Sequence, residues 1–555
     1  MKRNREERDQ DDNVWSGVTS NAMTLVVLYM PYVMHSVLAS DPNIRALAEL
    51  HGTVYNPRYS IYKKKEYYQE DKSQSYVKEC SRVVRFSYDA HHQDHTLCIV
   101  DAREVKYVEM VTWWLQMVGV VSLQLENTDG LPTRGMEHIL SSLLSSTPLT
   151  PRCKALPLVL EELTCERMPM SYLCVGNLNK MQACQNLKVL NLSNCFVYSF
   201  DGMQHLQNLT ELHLRGTTSA SLMPLKCCGR LVKLHLRTCA KVCDLNGLEY
   251  LTALRELSVH SAYITDFKPL SDSQQLQKIS VYQCQKLQSF QALRKVIGLT
   301  ELDLSSTNMC NLKGLYPCKG IRWLSLKLCK ALKSLEGLED MTELTYLDLS
   351  STNVSALTAI KHCKHLETLI LRGCKKVESF DVIEEVTQLK EIDLSVTDVK
   401  YISFLRPCVV LQKLTLCGCE QLSSISVLQD IHTLTNLDLS CSPICNISAL
   451  KKCTLLRWLS LRSCSIKTSF DVIGNLHDLT EIDLSRTAVK SLLFLSTCKK
   501  LKRIVVKECN NIERIEGMEK LKELESFEMS RDMIYKTYLY PESETRMVKR
   551  MIVYT

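Results

Sequence analysis

From Cys239 onward, a cysteine recurs every 45 residues, at Cys284, Cys329, Cys374, Cys419, Cys464 and Cys509, with Cys195 just off this beat. Around each runs one frame, as in Leu366-Glu-Thr-Leu-Ile-Leu-Arg-Gly-Cys374, and midway between them runs a sister frame ending in threonine, as in Leu344-Thr-Tyr-Leu-Asp-Leu-Ser-Ser-Thr352. A register this regular restricts the chain to repeat architectures, because one unit cannot bury its apolar side alone and stacked neighbours can. Sixteen units start at Leu187, Leu209, Leu231, Leu254, Leu276, Leu299, Ile321, Leu344, Leu366, Leu389, Leu411, Leu434, Leu456, Leu479, Leu501 and Leu524. After Leu209 the spacing alternates 22 and 23 residues, so the repeating unit is a pair of coils, one Cys-type and one Thr-type.

Each coil is expected to open with a strand whose first, fourth and sixth residues point inward and whose intervening residues point outward. The expected fold is an α/β solenoid, a leucine-rich-repeat arc. A parallel sheet would line its concave face, with short turns or helices on the convex side. The expected boundaries are an arm at 1–20, a mixed, partly helical region at 21–115, irregular N-terminal repeats at 116–186, regular repeats at 187–532 and a C-terminal cap at 533–555. The irregular repeats rest on Val120-x-x-Leu123-x-Leu125 and Leu160-x-x-Leu163-x-Cys165.

The short coil resembles the repeat of bacterial internalins and of a protein-phosphatase regulatory subunit. The wording Leu299-Thr-Glu-Leu-Asp-Leu-Ser-Ser-Thr-Asn308, paired with the Cys coil, more closely resembles trypanosomatid leucine-rich-repeat proteins. Members of that family are labelled adenylate-cyclase regulators, and the resemblance implies a regulated enzyme as partner. Many repeats of the class carry Asn where this chain has Cys or Thr. Some trypanosomatid members carry a zinc RING before the repeats. Here Cys80, Cys98, Cys153, Cys165, Cys174 and Cys184 form no Cys-x-x-Cys pair, so a ligase role is not carried over.

The 26 cysteines bear on compartment. A second ladder, Cys228, Cys318, Cys363, Cys408, Cys453 and Cys498, closes the Thr-type coils. Ladder neighbours two coils apart lie roughly 9–10 Å from each other, too far for a disulfide, which needs Cα atoms within about 7 Å. Free, buried thiols in a reducing compartment are the expectation, with crowded Cys417, Cys419, Cys441 and Cys445 as candidate exceptions. Met1–Asp12 is unlike a secretory leader. Met23–Ala39, interrupted by Pro31 and His35, is short for a membrane span. The localisation expected is therefore intracellular, cytoplasm or nucleus. Sequons at Asn191, Asn208, Asn353 and Asn446 are commonplace in so Ser/Thr-rich a repeat.

A net charge of +7 is too mild to make nucleic acid the default partner. No phosphate loop, dinucleotide fingerprint or zinc-protease motif is present, and no enzyme activity, cofactor or metal is expected. His91, His92, His95 and Cys98 could open a metal site if helical; a polar turn accounts for them equally.

The outward strand positions are more informative. Thr-type coils place acid at the fifth residue (Asp303, Asp348, Asp393, Asp438, Asp483), and Cys-type coils place base at the seventh (Arg237, Lys327, Arg372, Arg462, Lys507). Cross-strand pairing of such stripes would order the two coil types without any ligand. The exceptions are Trp323 and Trp458, at the same outward position and preceded by Arg322 and Arg457; arginine beside tryptophan is the make-up of a binding hot spot. The expected protein-binding set is Arg322, Trp323, Lys327, Tyr346, Asp348, Arg372, Asp393, Asp438, Arg457, Trp458, Arg462 and Asp483. The reading is a monomeric, non-enzymatic scaffold for a protein partner, reaching a membrane only through that partner. Two others compete: a ubiquitin-ligase adaptor docking through residues 21–115, and a nucleic-acid-associated protein using Lys63, Lys64 and Lys65.

Overall fold

In the computed structural model the described residues are the strand segments 84–89, 94–100, 122–126, 160–166 and 174–175, and the chain from 184 to 530 except 198, 218, 288, 316–317 and 514. The expected arm at 1–20, the Met23–Ala39 segment and the cap at 533–555 lie outside them. The chain divides into two compact units, Met1–Arg255 and Glu256–Thr555.

In the first unit, β1 (Val84–Asp89) and β2 (Asp94–Val100) form an antiparallel hairpin. A parallel ladder then runs from β2 to β3 (Ser122–Glu126) and β4 (Glu162–Glu166), and from β4 to β6 (Val189–Val197), β7 (Glu211–Arg215) and β8 (Lys233–Arg237). A short β5 (Cys174–Val175) also pairs with β6. Parallel pairing thus starts upstream of residue 116, the expected start of the array. His95 and Cys98 lie in extended β2, so the helical spacing that would have gathered them with His91 does not apply there; His91 and His92 are outside the described residues.

The second unit holds β9 (Glu256–His260), β10 (Lys278–Ser280), β11 (Glu301–Asp303), β12 (Trp323–Ser325), β13 (Tyr346–Asp348), β14 (Thr368–Ile370), β15 (Glu391–Asp393), β16 (Lys413–Thr415), β17 (Asn436–Asp438), β18 (Trp458–Ser460), β19 (Glu481–Asp483), β20 (Arg503–Val506) and β21 (Ser526–Met529). Each pairs in parallel with the next at one register, third residue to third and fifth to fifth. First, fourth and sixth residues are buried throughout, for example Leu344, Leu347 and Leu349. The return side of the coils is 3-10 turns, among them Thr358–His362 and Asp381–Glu385. A coil of 22 or 23 residues leaves no room for more. Stacked Phe380 and Phe404, and Phe470 and Phe494, fill that side.

Two backbone devices make the coil close. The ladder continues past the strand, with Leu304 N–H donating to Ser325 O and Ser306 N–H to Lys327 O. The eighth residue then turns left-handed in every coil from Gly216 to Glu508; only Gly216, Gly373 and Gly418 are glycine. A side chain there costs roughly 1–2 kcal/mol, and at Val396 (φ 57°) the residue is β-branched as well.

The ninth residue explains the pairing of coils. Thr352 Oγ donates to Leu349 O of its own coil at 2.8 Å, and Cys374 Sγ of the next coil donates to the same oxygen at 2.9 Å. The arrangement repeats at Leu304 O with Thr307 and Cys329, at Leu394 O with Thr397 and Cys419, and at Leu484 O with Thr487 and Cys509. The threonine N–H also reaches this oxygen, at 3.3 Å from Thr307 and 3.2 Å from Thr352 and Thr487, so hydroxyl, thiol and amide converge on one buried carbonyl. The second ladder works alike but more loosely: Cys453 Sγ lies 3.5 Å from Leu428 O and Cys498 Sγ 3.5 Å from Ile473 O. Burial pushes Cys464 up to about 12 and Cys453 and Cys498 up to about 11. Cys417, Cys419, Cys441 and Cys445 are all free thiols.

Two predictions follow from this geometry. At pH 8 the ladder thiols stay protonated as well as buried. Peptide-resolved alkylation of the native chain should therefore label exposed Cys243, Cys310 and Cys441 well before Cys453, Cys464 and Cys498; equal labelling would contradict the packing. In urea unfolding, Val396→Asn should stabilise the chain by about 1 kcal/mol, since Asn tolerates the left-handed region. Gly337→Ala should destabilise it, because Gly337 has φ +102° and its Cβ would lie 2.6 Å from the Leu312 carbonyl carbon.

A candidate protein-binding face on the sheet

Within the second unit the outward residues form three rows, at the third, fifth and seventh positions of each coil. In the third row, opposite charges on adjacent strands meet: Lys278–Glu301 at 2.8 Å, Lys413–Glu391 at 2.5 Å and Arg503–Glu481 at 3.8 Å. The first unit repeats this with Lys233–Glu211 at 2.7 Å, beside stacked His213 and His235. These charges are at least 30% exposed, and such pairs contribute about 0–1 kcal/mol each. They favour alternate stacking of the two coil types rather than supply much stability.

The fifth-row acids have a task the sequence reading missed. As the chain leaves the strand, its seventh residue has an N–H that the ladder does not take. Asp Oδ1 accepts it: Asp303 from Ser305, Asp348 from Ser350, Asp393 from Ser395, Asp438 from Ser440 and Asp483 from Ser485, at 2.8–2.9 Å. This is an Asx turn built into every Thr-type coil from Asp303 to Asp483. The repeated Asp-Leu-Ser wording was the available signal. The serine hydroxyl adds a second bond to Asp303 and Asp348 at 2.5 Å, and to Asp438, whereas buried Ser395 Oγ has no partner among the described residues. The fifth-row aspartates are half-buried and, among the described residues, take part in no salt bridge.

In the seventh row Lys327, Arg372 and Arg462 are exposed and make no salt bridge among the described residues. Cys417 interrupts the stripe, and Lys507 pairs with Glu528 at 2.9 Å. The expected salt-bridged stripes therefore hold in the third row and not between the fifth and seventh.

Trp323 and Trp458 replace a basic residue in the third row. Both are half-buried rather than freely exposed. Trp323 stacks on Tyr346 of the adjacent strand, with centroids 5.0 Å apart and planes at 12°. Burial first, then Asp348, Glu391 and Asp303, push the Tyr346 hydroxyl above its ordinary range. Trp458 lies in register with Asn436 and Glu481. Arg322 and Arg457 are exposed at the entry to their strands.

The face also holds a contact chain of serine and histidine. His260 Nε2 lies 2.9 Å from Ser258 Oγ and 3.2 Å from Ser280 Oγ, and Ser280 donates to Asp303 at 3.0 Å. The carboxylate holds a serine rather than the imidazole, unlike a hydrolytic triad, in which the acid orients the histidine. Among the described residues no group of His, Cys, Asp and Glu could hold a metal ion, and no helix is long and apolar enough to cross a membrane.

The turn role of the acids is testable. Asp393→Asn keeps an acceptor for Ser395 N–H and should change stability by less than about 0.5 kcal/mol. Asp393→Ala orphans that N–H and should cost about 1–3 kcal/mol. Ser395→Ala, which removes an unpartnered hydroxyl, should be neutral or stabilising in the same urea titration. Equal losses for Asn and Ala would assign the effect to charge instead.

Residues 335–426 match the family model described as Zer-1-like, leucine-rich repeats. No curated protein matches the chain. Among solved structures, an internalin, InlF, from Listeria monocytogenes is similar at 22% identity and a TM-score of 0.47, over 59% of this chain and 88% of that one. The Leptospira interrogans LRR protein LIC12759 is similar at 20% identity and a TM-score of 0.47, over 64% of this chain and 92% of that one. The functional domain of InlJ from Listeria monocytogenes, which includes a cysteine ladder, is similar at 16% identity and a TM-score of 0.46, over 59% and 70%. The repeat register and the parallel strands it generates give the chain a leucine-rich-repeat fold, and residues 335–426 match a leucine-rich-repeat family model.

Proposed function

We propose that this chain is a non-enzymatic scaffold that binds a protein partner through the outward face of its repeat sheet, centred on Trp323, Tyr346 and Trp458. The observation that carries this reading is a substitution within the repeat. Where four other Cys-type coils place a basic residue that pairs with a neighbouring glutamate, and one places Thr368, two coils place tryptophan. Neither ring is needed by the core, which already has its first, fourth and sixth residues. An aromatic ring with an arginine before it and a free base four residues beyond, as in Trp323 with Arg322 and Lys327, and Trp458 with Arg457 and Arg462, is the make-up of interface hot spots. Arg372 joins them as an exposed base. Asp348, Asp393, Asp438 and Asp483 are on the same face, with one oxygen given to the turn.

The resemblance to trypanosomatid repeat proteins extends the reading to a regulated enzyme, such as a membrane cyclase, as the partner. An adaptor role through residues 21–115 and an RNA-associated role have no comparable feature on the described face. The third-row acids interleave with its bases and weaken a phosphate-binding stripe.

Partner recovery by the full chain tests this. Trp323→Ala with Trp458→Ala should leave the urea midpoint nearly unchanged, and partner binding should weaken by more than about 2 kcal/mol, the range of hot-spot truncation. A folded double variant that recovers every partner would refute the proposal. Unfolding of the double variant would show that the rings are packing residues.

A further inference from the structure

The two tryptophan coils share a wider pattern, and it points to what the partner presents. Both read Arg-Trp-Leu-Ser-Leu followed by a base, at 322–327 and 457–462. In each, a serine occupies the fifth position, Ser325 or Ser460, and parallel register sets an aspartate on both sides. Asp303 and Asp348 flank Ser325, and Asp438 and Asp483 flank Ser460. Third and fifth residues of a strand face the same way about 7 Å apart, so the indole forms one wall of a notch with two carboxylates as its sides.

The other Cys-type coils do not leave this notch open. Ile370 and Val505 fill the fifth position in two of them. The third residue is itself a cation in the Lys413 coil, and in the Val505 coil as well: Lys413 pairs with Glu391, and Arg503 pairs with Glu481 and with Glu528, at 2.7 Å for the latter. Where tryptophan replaces that cation, the flanking acids are half-buried and, like the other fifth-row aspartates, make no salt bridge among the described residues. The notch at Trp458 is the more open of the two. Ser460 is 4% exposed on the outward row, and its hydroxyl has no hydrogen-bond partner among the described residues. Asp483 gives one oxygen to Ser485 N–H; its other oxygen accepts no hydrogen bond among the described residues, although the Arg503 charge is close enough to interact with it. At Trp323 more is already satisfied: Ser325 Oγ meets Ser305 Oγ at 2.9 Å, and Asp303 also accepts from Ser280.

Resting on the proposed binding face, we infer that the Trp458 notch is a socket for a cationic side chain of the protein partner, an arginine above all, with the Trp323 notch as its second copy. A guanidinium laid over Ser460 would stack on the indole, a cation–π contact. It would also reach the carboxylates of Asp438 and Asp483 on either side and donate to the free serine oxygen. Lys327 and Arg462 lie two residues further along each strand. They are exposed, so water screens them, whereas the half-buried carboxylates are screened less. Six strand spacings of about 4.8 Å put the sockets roughly 29 Å apart, a span that a partner with two basic side chains on an extended or helical segment can bridge.

The probe is a fluorescein-labelled nonapeptide of arginine, titrated against the full chain at physiological salt, with a citrulline nonapeptide as the neutral isostere. The arginine peptide should bind at least about tenfold more tightly than the citrulline peptide. Asp438→Asn with Asp483→Asn keeps both turn acceptors and should weaken arginine binding about tenfold. Asp393→Asn, which flanks Ile370 and Thr415 instead, should change it by less than about twofold. Equal loss for Asp393→Asn and the socket pair would reduce the effect to diffuse charge and overturn the socket. If the socket pair binds the arginine peptide normally while Trp323→Ala with Trp458→Ala still loses the cellular partner, the cationic socket falls and the binding face stands. If the tryptophan variant keeps every partner, both fall.

Discussion

One carbonyl oxygen per pair of coils sets the grammar of this protein. The sixth residue of a Thr-type coil accepts from the threonine of its own coil and from the cysteine of the next. The cysteine thiol thereby ties each Thr-type coil to the coil that follows it. The duplicated unit is two coils, and other features alternate along the sheet with the same period: the Asp turn on one coil type, the base at the seventh position on the other, and the Lys–Glu pairs between them. Where the rule relaxes, the bonding shifts. Ser442 replaces threonine and donates back to Leu416 O at 2.6 Å instead.

Charge on this surface divides by how deeply each row sits. Third-row pairs are exposed and interchangeable, so they set stacking order. Fifth-row aspartates are half-buried, and each has one oxygen fixed by a backbone N–H two residues on. Seventh-row Lys327, Arg372 and Arg462 are exposed and make no salt bridge among the described residues, whereas Lys507 pairs with Glu528. A ligand meets fixed acid beside exposed base, and among the Cys-type coils of the second unit the third-row position is uncharged at Trp323, Thr368 and Trp458. The tryptophans thus interrupt the third-row charge pattern beside the half-buried acids.

Much of this was legible in the residues. Leucine spacing gave the strands, their inward faces and the short return side, because a period of 22 or 23 leaves no alternative. The cysteine spacing gave buried, unpaired thiols in the second unit, since strand separation forbids bridging two coils. The Asx turn was not read, although Asp393-Leu-Ser395 and its copies spell it, because outward acid was taken as surface charge alone. The stacking of Trp323 on Tyr346 was also missed, since it depends on register between a Cys-type and a Thr-type coil. The hairpin at 84–100 was hidden by the absence of any repeat before Val120.

The central claim is that the partner sits on the sheet face and not on the return side of the coils. A photo-cross-linking amino acid introduced at Tyr346 on the face, and separately at Tyr401 on an exposed turn, tests it directly in the full chain. The account predicts a cross-linked partner from position 346 and none from position 401. Cross-linking from 401 alone would contradict it.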